Sequence, residues 1–250
     1  MQIVGLLPTS LQDYPDEISA VLFTRGCNFH CPYCHNPELI GGKLGLSVRN
    51  EKEEKDMTVY DKSAVLNLLE ERTDYLDGVV ITGGEPTLQP DLADFLKLLT
   101  ADFGYKTKLD TNGSQPQILR ELLAADLVDM VGWDYKLPLN RYQELTPEEN
   151  IAEKIVESGR ILAETGVKVE VRTTVVPRLV NKRDIVKISR QIKDLGDNGF
   201  PDSFILQEFS SEQVLDCDFS TISPYRREKM KEFKEIAENY INNVKIRGDI

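Results

Sequence analysis

Apolar positions along the chain fall into short runs separated by longer stretches with helical spacing. Six runs read as strands: residues 18–24, 78–82, 106–110, 127–135, 167–176 and 203–209. The fifth alternates most openly, with Val167, Val169 and Val171 set against Lys168, Glu170 and Arg172. Between the runs, Val65, Leu68, Leu69 and Arg72 predict a helix from residue 62 to about 73, and Leu92, Phe95, Leu96 and Leu99 one opening near Pro90. Pro116 suits the first turn of a third helix. Thr146-Pro147-Glu148-Glu149 reads as a capping box for a fourth, running to about Thr165. Asn181 can cap a fifth, with Ile185, Ile188, Ile192 and Leu195 on one face and Gly196 closing it. Ser223-Pro224 opens a last helix with Met230, Phe233, Ala237 and Tyr240 inward, and residues 244–246 suit a short terminal strand.

Strands alternating with helices predict a parallel sheet made of right-handed crossovers. Six units are fewer than the eight of a closed barrel, so an open, partial (β/α)6 barrel is expected, with a doubly wound sheet as the alternative. The expected organisation is one α/β domain over residues 1–250. Residues 1–17 form an N-terminal extension, 18–209 the barrel core, and 210–250 a C-terminal helix and tail. Gly41, Gly42 and Gly45 mark a flexible segment, and the charged residues 50–56 an exposed insertion.

Composition narrows the partners. A formal net charge of −12 over 250 residues repels nucleic acid and anionic membrane, so neither is an expected partner. No run approaches the ~20 apolar residues of a membrane helix. The apolar residues 3–7 follow no basic residue, unlike a signal peptide. Three clustered cysteines and a distant Cys217 do not form a secreted disulfide framework, which points to a reducing, cytoplasmic setting.

The clustered cysteines carry the chemistry. Cys27, Cys31 and Cys34 follow the first strand with spacing C-x3-C-x2-C. A closed structural zinc site takes four protein ligands, and a cubane iron–sulfur cluster normally takes four thiolates. Three leave one position open for a substrate or cofactor. Other polar groups fall at the following strand ends: Gly83-Gly84-Glu85, Asp110-Thr111-Asn112-Gly113, Asp134-Tyr135-Lys136, then Arg172 and Thr174, then Gln207 and Glu208. In parallel α/β folds the carboxyl ends of the strands share one rim, so these groups are expected to face one cavity. Taken singly, each has a plainer reading as a turn, an exposed residue or half of a salt bridge. His30 or His35 completing a Cys3His zinc site is an alternative. Tyr33 suits either a core position or a wall for an aromatic ligand, and Cys217 reads as a spare thiol.

The cysteine spacing, the aromatic Tyr33 before the last cysteine and the Gly-Gly-Glu after the second strand together resemble the radical S-adenosylmethionine superfamily. Ser10-Leu11-Gln12-Asp13-Tyr14-Pro15, Thr24-Arg25-Gly26-Cys27-Asn28-Phe29, Cys34-His35-Asn36-Pro37-Glu38-Leu39, Asp110-Thr111-Asn112-Gly113 and Val175-Val176-Pro177 resemble its glycyl-radical-enzyme activating proteins. Those of anaerobic ribonucleoside-triphosphate reductase are most similar, and pyruvate formate-lyase activating enzyme is a near relative. The resemblance spans roughly residues 1–209. It implies one [4Fe-4S] cluster on Cys27, Cys31 and Cys34, whose open iron takes the amino and carboxylate groups of S-adenosylmethionine. Reductive cleavage of that molecule would give a 5′-deoxyadenosyl radical that abstracts hydrogen from a glycine of a partner enzyme. A low-potential flavodoxin or ferredoxin would supply the electron.

By the same resemblance, Gly83 and Gly84 let the backbone approach the methionyl end, and Glu85 accepts from its ammonium. Asp110 and Asp134 contact the ribose or methionine region, and in relatives such acids also hold a monovalent cation. Lys136 and Arg172 supply positive charge, Tyr33 and His35 lie on the adenine side, and Tyr135 joins the cofactor contacts. One departure is visible: Leu206-Gln207-Glu208-Phe209 lacks the histidine that pyruvate formate-lyase activating enzyme carries in its sixth-strand region. A radical enzyme acting on a small molecule, like 7-carboxy-7-deazaguanine synthase, and a non-enzymatic electron-transfer module are the other readings.

Overall fold

A computed structural model describes residues 1–41, 58–196 and 199–248. The expected insertion at 50–56, and Gly42 and Gly45, lie outside the described residues. Eight strands form one sheet in sequence order: β1 (Ile3–Ser10), β2 (Ser19–Thr24), β3 (Gly78–Gly83), β4 (Lys106–Thr111), β5 (Met130–Asp134), β6 (Lys168–Val175), β7 (Ser203–Glu208) and β8 (Val244–Arg247). From β2 to β8 every neighbouring pair is parallel. The order leaves β1 and β8 as the two edges, as an open partial barrel requires. The six expected strands are β2 to β7, and the short terminal strand is β8.

Three expectations need correction here. The sheet is mixed and not all parallel, because β1, within the N-terminal extension, pairs antiparallel with β2. Its register shifts between Ile3 and Gly5 and between Leu7 and Ser10, and those irregularities break the alternation that would have exposed the strand in the sequence.

The helices are α1 (Lys62–Glu70), α2 (Leu92–Lys97), α3 (Pro116–Ala124), α4 (Ile151–Thr165), α5 (Lys182–Lys193) and α6 (Arg227–Glu238). At α5 the Asn181 side chain accepts from the Arg183 N–H at 2.8 Å and Asp184 accepts from the Asn181 N–H at 3.0 Å, the reciprocal cap expected there. The second correction is at α4. It opens at Ile151, after Asn150 in the left-handed region, not at Thr146-Pro147. Thr146 and Glu148 are engaged elsewhere, by the cysteine loop. The last helix likewise starts later than Ser223-Pro224, at Arg227.

Alternation divides the sheet into two faces. Ala20, Leu22, Val79, Ile81, Leu109, Val131, Trp133, Val169, Val171, Phe204 and Leu206 point outward into the helix layer and form the main core. The lumen holds a small apolar cluster of Tyr14, Val21, Val80 and Met130, with Phe23 against it. Among the described residues no helix is long and apolar enough to cross a membrane.

Candidate active site

The loop that carries the cysteines leaves β2 through Gly26, whose φ of +97° is readily adopted only by glycine. Its base is closed by the Gly26 N–H to the Leu39 carbonyl at 2.7 Å and the Cys27 N–H to the Ile40 carbonyl at 3.2 Å. Burial pushes the Cys27 thiol up to about 12 and the Cys31 thiol up to about 11, and raises Cys34 as well. Among the described residues, the cation whose field reaches all three is Lys136, which opposes the rise.

Among the described residues, the only Cys, His, Asp and Glu group with all ligand atoms within 4.8 Å is Asp216, Cys217 and Asp218. A single zinc ion with Zn–S bonds of about 2.3 Å holds its thiolates about 3.8 Å apart. The three clustered thiols do not all lie within 4.8 Å of one another, a wider spread than one such ion gives. Buried and half-buried thiols in the field of a lysine also fit an anionic metal–thiolate centre, since metal binding deprotonates its ligands. His35 is exposed. The His30 Nδ1 and the Tyr33 hydroxyl are buried without partners among the described residues.

The Gly-Gly-Glu segment grips the cysteine loop from β3. The Gly84 N–H donates to Thr24 O at 2.9 Å and the Glu85 N–H to Gly26 O at 2.7 Å. A Cβ on Gly83 would lie 2.2 Å from Thr24 N, and one on Gly84 2.1 Å from Gly26 O. These glycines are demanded by the chain's own backbone, a tighter constraint than the ligand approach expected of them. Glu85 is likewise turned inward. Its buried carboxylate accepts from the Thr87 N–H and hydroxyl, the Thr111 hydroxyl at 2.7 Å and the Asn112 N–H at 2.7 Å. Four donors of the protein engage it, so it ties β3 to the end of β4.

The charged residues at the ends of β4, β5 and β6 form one network. Arg172 bridges the Asp110 carboxylate at 3.1 Å and the Asp134 carboxylate at 2.8 Å. Lys108 pairs with Asp110, and Lys136 reaches Asp134 at 3.2 Å. Burial alone would raise both carboxyls, but the cations outweigh it: Arg172 and Lys108 hold Asp110 low, and Arg172 and Lys136 hold Asp134 at about 2. The carboxylates that a monovalent cation would need are thus already engaged by side-chain cations. Gly132 lies beneath them, where a Cβ would come 2.2 Å from Asp110 Oδ1 and 3.1 Å from both Arg172 and Lys108.

Tyr135, expected among the cofactor contacts, lies on the helix side of its strand. Alternation turns it away from Asp134 and Lys136, its ring packs edge-on to Trp133 and Tyr142, and its hydroxyl donates to Gln191 Oε1 at 3.1 Å. The distant Cys217 is nearer in space than in sequence, for the adjoining Asp216 N–H donates to Pro32 O inside the cysteine loop at 2.9 Å. Lys108, Gly132 and Ser114 were not singled out from the sequence, Asn28 entered only within the cysteine motif, and Thr146 and Glu148 only as a helix cap. Lys108 carried a signal there, as a charge in phase with Asp110.

A half-open α/β barrel with a three-cysteine loop after its first parallel strand, and charged groups at the next strand ends, defines the class. The Radical SAM superfamily model matches residues 21–192, and this chain belongs to that superfamily. Over 250 aligned positions it is 32% identical to a Methanocaldococcus jannaschii protein named for glycyl-radical enzyme activation, covering 98% of this chain and 95% of that one. It is 28% identical to the pyruvate formate-lyase-activating enzyme of Streptococcus mutans, over 71% of this chain and 67% of the relative. A 7-carboxy-7-deazaguanine synthase of Methanopyrus kandleri is 33% identical over 49% of this chain and 50% of its own. Among solved structures, Streptococcus suis SuiB superposes with a TM-score of 0.64 at 16% identity, covering 91% of this chain and 48% of SuiB, which supports the fold alone.

Proposed function

We propose that this radical SAM enzyme activates a glycyl-radical enzyme, with anaerobic ribonucleoside-triphosphate reductase the foremost partner. The observation that carries the chemistry is the placing of one buried and two half-buried thiols in the field of Lys136 at the carboxyl rim of the sheet. The full-length similarity to a protein named for glycyl-radical enzyme activation supports the partner class. Cys27, Cys31 and Cys34 would hold a [4Fe-4S] cluster. Held there, such a cluster would supply one-electron reduction of S-adenosylmethionine, the chemistry needed to remove hydrogen from a glycine of the partner. Lys136, fixed by Asp134, offers its ammonium to the carboxylate of S-adenosylmethionine. Tyr33 provides an aromatic wall beside the same thiols. Arg172 acts indirectly, by aligning Asp134. The four cysteines are free, which suits a reducing cytoplasm with flavodoxin or ferredoxin as donor. Residues 1–250 are read as one domain.

The test is anaerobic reconstitution with iron, sulfide, a low-potential reductant and S-adenosylmethionine, then incubation with candidate glycyl-radical enzymes and electron paramagnetic resonance. A glycyl doublet on the reductase is expected, with cluster formation lost in Cys31→Ala and kept in Cys217→Ala. Turnover of a small molecule with no radical on any candidate would instead favour a synthase, the reading supported by the partial similarity to 7-carboxy-7-deazaguanine synthase.

A further inference from the structure

Asn28, directly after the first cysteine, has its side-chain hydrogen-bonding groups engaged by two other segments of the chain. Its Nδ2 donates to Ser114 Oγ at 2.9 Å and to Glu148 Oε2 at 3.0 Å. Its Oδ1 accepts from Asn112 Nδ2 at 3.0 Å, and its main-chain carbonyl accepts from the Thr146 hydroxyl at 2.9 Å. A carboxylate can only accept, so Glu148 fixes which way the amide points. Glu148 is in turn paired with Lys154 on α4, and the Ser114 N–H donates to Asn112 Oδ1 at 2.9 Å. Ser114, Asn112 and Thr146 are all buried, which makes each of these bonds costly to leave unmade.

The neighbours of Asn28 are seated by the same connection between β5 and α4. The His30 N–H donates to Leu145 O at 2.7 Å, and the Phe29 ring meets Tyr142 edge-on at 6.1 Å. The Phe29 N–H in turn points at Cys27 Sγ at 3.4 Å. Leu39 and Ile40 close only the base of the loop. Its span between Cys27 and Cys31 is held by residues 112–114 and 145–148.

We propose that Asn28, locked by Glu148, is the positioning residue that keeps the cysteine loop in its ligand-ready shape before any cluster is present. This rests on reading Cys27, Cys31 and Cys34 as cluster ligands. A short side chain with two donors and one acceptor is needed to meet Glu148, Ser114 and Asn112 together, and asparagine supplies that set. An aspartate there has no donor and would set a second carboxylate against Glu148.

The test exchanges donor and acceptor. Asn28→Asp, Glu148→Gln and the double variant are reconstituted anaerobically beside the wild-type chain. Iron and sulfide per chain are measured after desalting, followed by the half-time of iron loss to a chelator. Asn28→Asp should lose iron about tenfold faster than wild type. Glu148→Gln should stay close to wild type, because its amide oxygen can still accept. In the double variant the introduced glutamine amide donates to the introduced aspartate, and retention should return to within about twofold of wild type. Thr107→Val, which removes a buried hydroxyl bonded to Leu127 O far from the cysteines, controls for general destabilisation and should leave retention unchanged. Equal retention in Asn28→Asp and wild type, no recovery in the double variant, or equally fast loss in Thr107→Val would each overturn the proposal. A wild-type chain that takes up no iron would instead overturn the cluster reading beneath it.

Discussion

Along β4, β5 and β6, alternate residues face either the helix layer or the lumen, and the two sets differ in kind. Outward are Leu109, Val131, Trp133, Val169 and Val171, all completely buried and all apolar. Inward are Lys108, Asp110, Gly132, Asp134, Glu170 and Arg172, and here nearly every group is a charge held by another charge. The outer set is stabilised by removing apolar surface from water, which depends on volume and little on direction. The inner set gains little net stability from its ion pairs, because desolvation offsets most of the attraction. What it gains is direction. Arg172 can align Asp134 only while Asp110 and Lys108 hold its other side, and Gly132 stays without a side chain because those atoms occupy its Cβ position.

The largest break in this comparison comes from the outer face. Trp133 is fully buried, packs against Tyr135, and reaches α4 where a Cβ on Gly159 would lie only 2.7 Å from the indole. Trp133→Ala leaves a large cavity and should cost about 4 kcal/mol in denaturant unfolding. A cost below about 1 kcal/mol would mean that the outer face does not carry the stability assigned to it.

A smaller effect is expected in the lumen, with a different signature. Arg172→Met leaves two carboxylates without their shared cation and should cost about 3 kcal/mol. In an Asp110→Asn background the same change should cost about 1 kcal/mol less, because one of those carboxylates is already neutral. Additive costs in the double variant would show that Asp110 and Asp134 do not depend on Arg172 together.

The same division explains what could be read from the sequence. Outward residues announce themselves by alternation, so the six strands of the core and most of the helices were legible. The rim was legible too, because Cys27, Cys31, Cys34, Asp110, Asp134, Lys136 and Arg172 sit at consecutive strand ends. Pairings between distant segments were not. Nothing in Thr146-Pro147-Glu148-Glu149 distinguishes a helix cap from a strap over Asn28, since both use a hydroxyl and a carboxylate at the same spacing. The sequence neighbourhood of Glu85 and Tyr135 does not show that hydrogen bonding ties the first to the end of β4 or that strand phase turns the second toward the helix layer. The bulged β1 hid because its apolar residues lack a steady period.

The smallest expected effect is a pH dependence that only the lumen can show. Burial would raise the Asp134 carboxyl, yet Arg172 and Lys136 outweigh it and hold it at about 2. An aspartate in the unfolded chain titrates near 3.9. The folded value is the lower one, so the contribution of Asp134 to stability is complete above about pH 4 and is lost as pH falls toward about 2. With a third of the side chain exposed, 34% by area, solvent screens the pair and keeps the effect modest. Unfolding free energy measured from about pH 5 down to about pH 2 should therefore fall less steeply in Asp134→Asn than in wild type. Trp133→Ala removes no titrating group from the lumen, so its curve should run parallel to wild type at a lower level. Parallel curves for Asp134→Asn and wild type would show that the inner network does not hold this carboxylate, and the contrast between the two faces would then rest on packing alone.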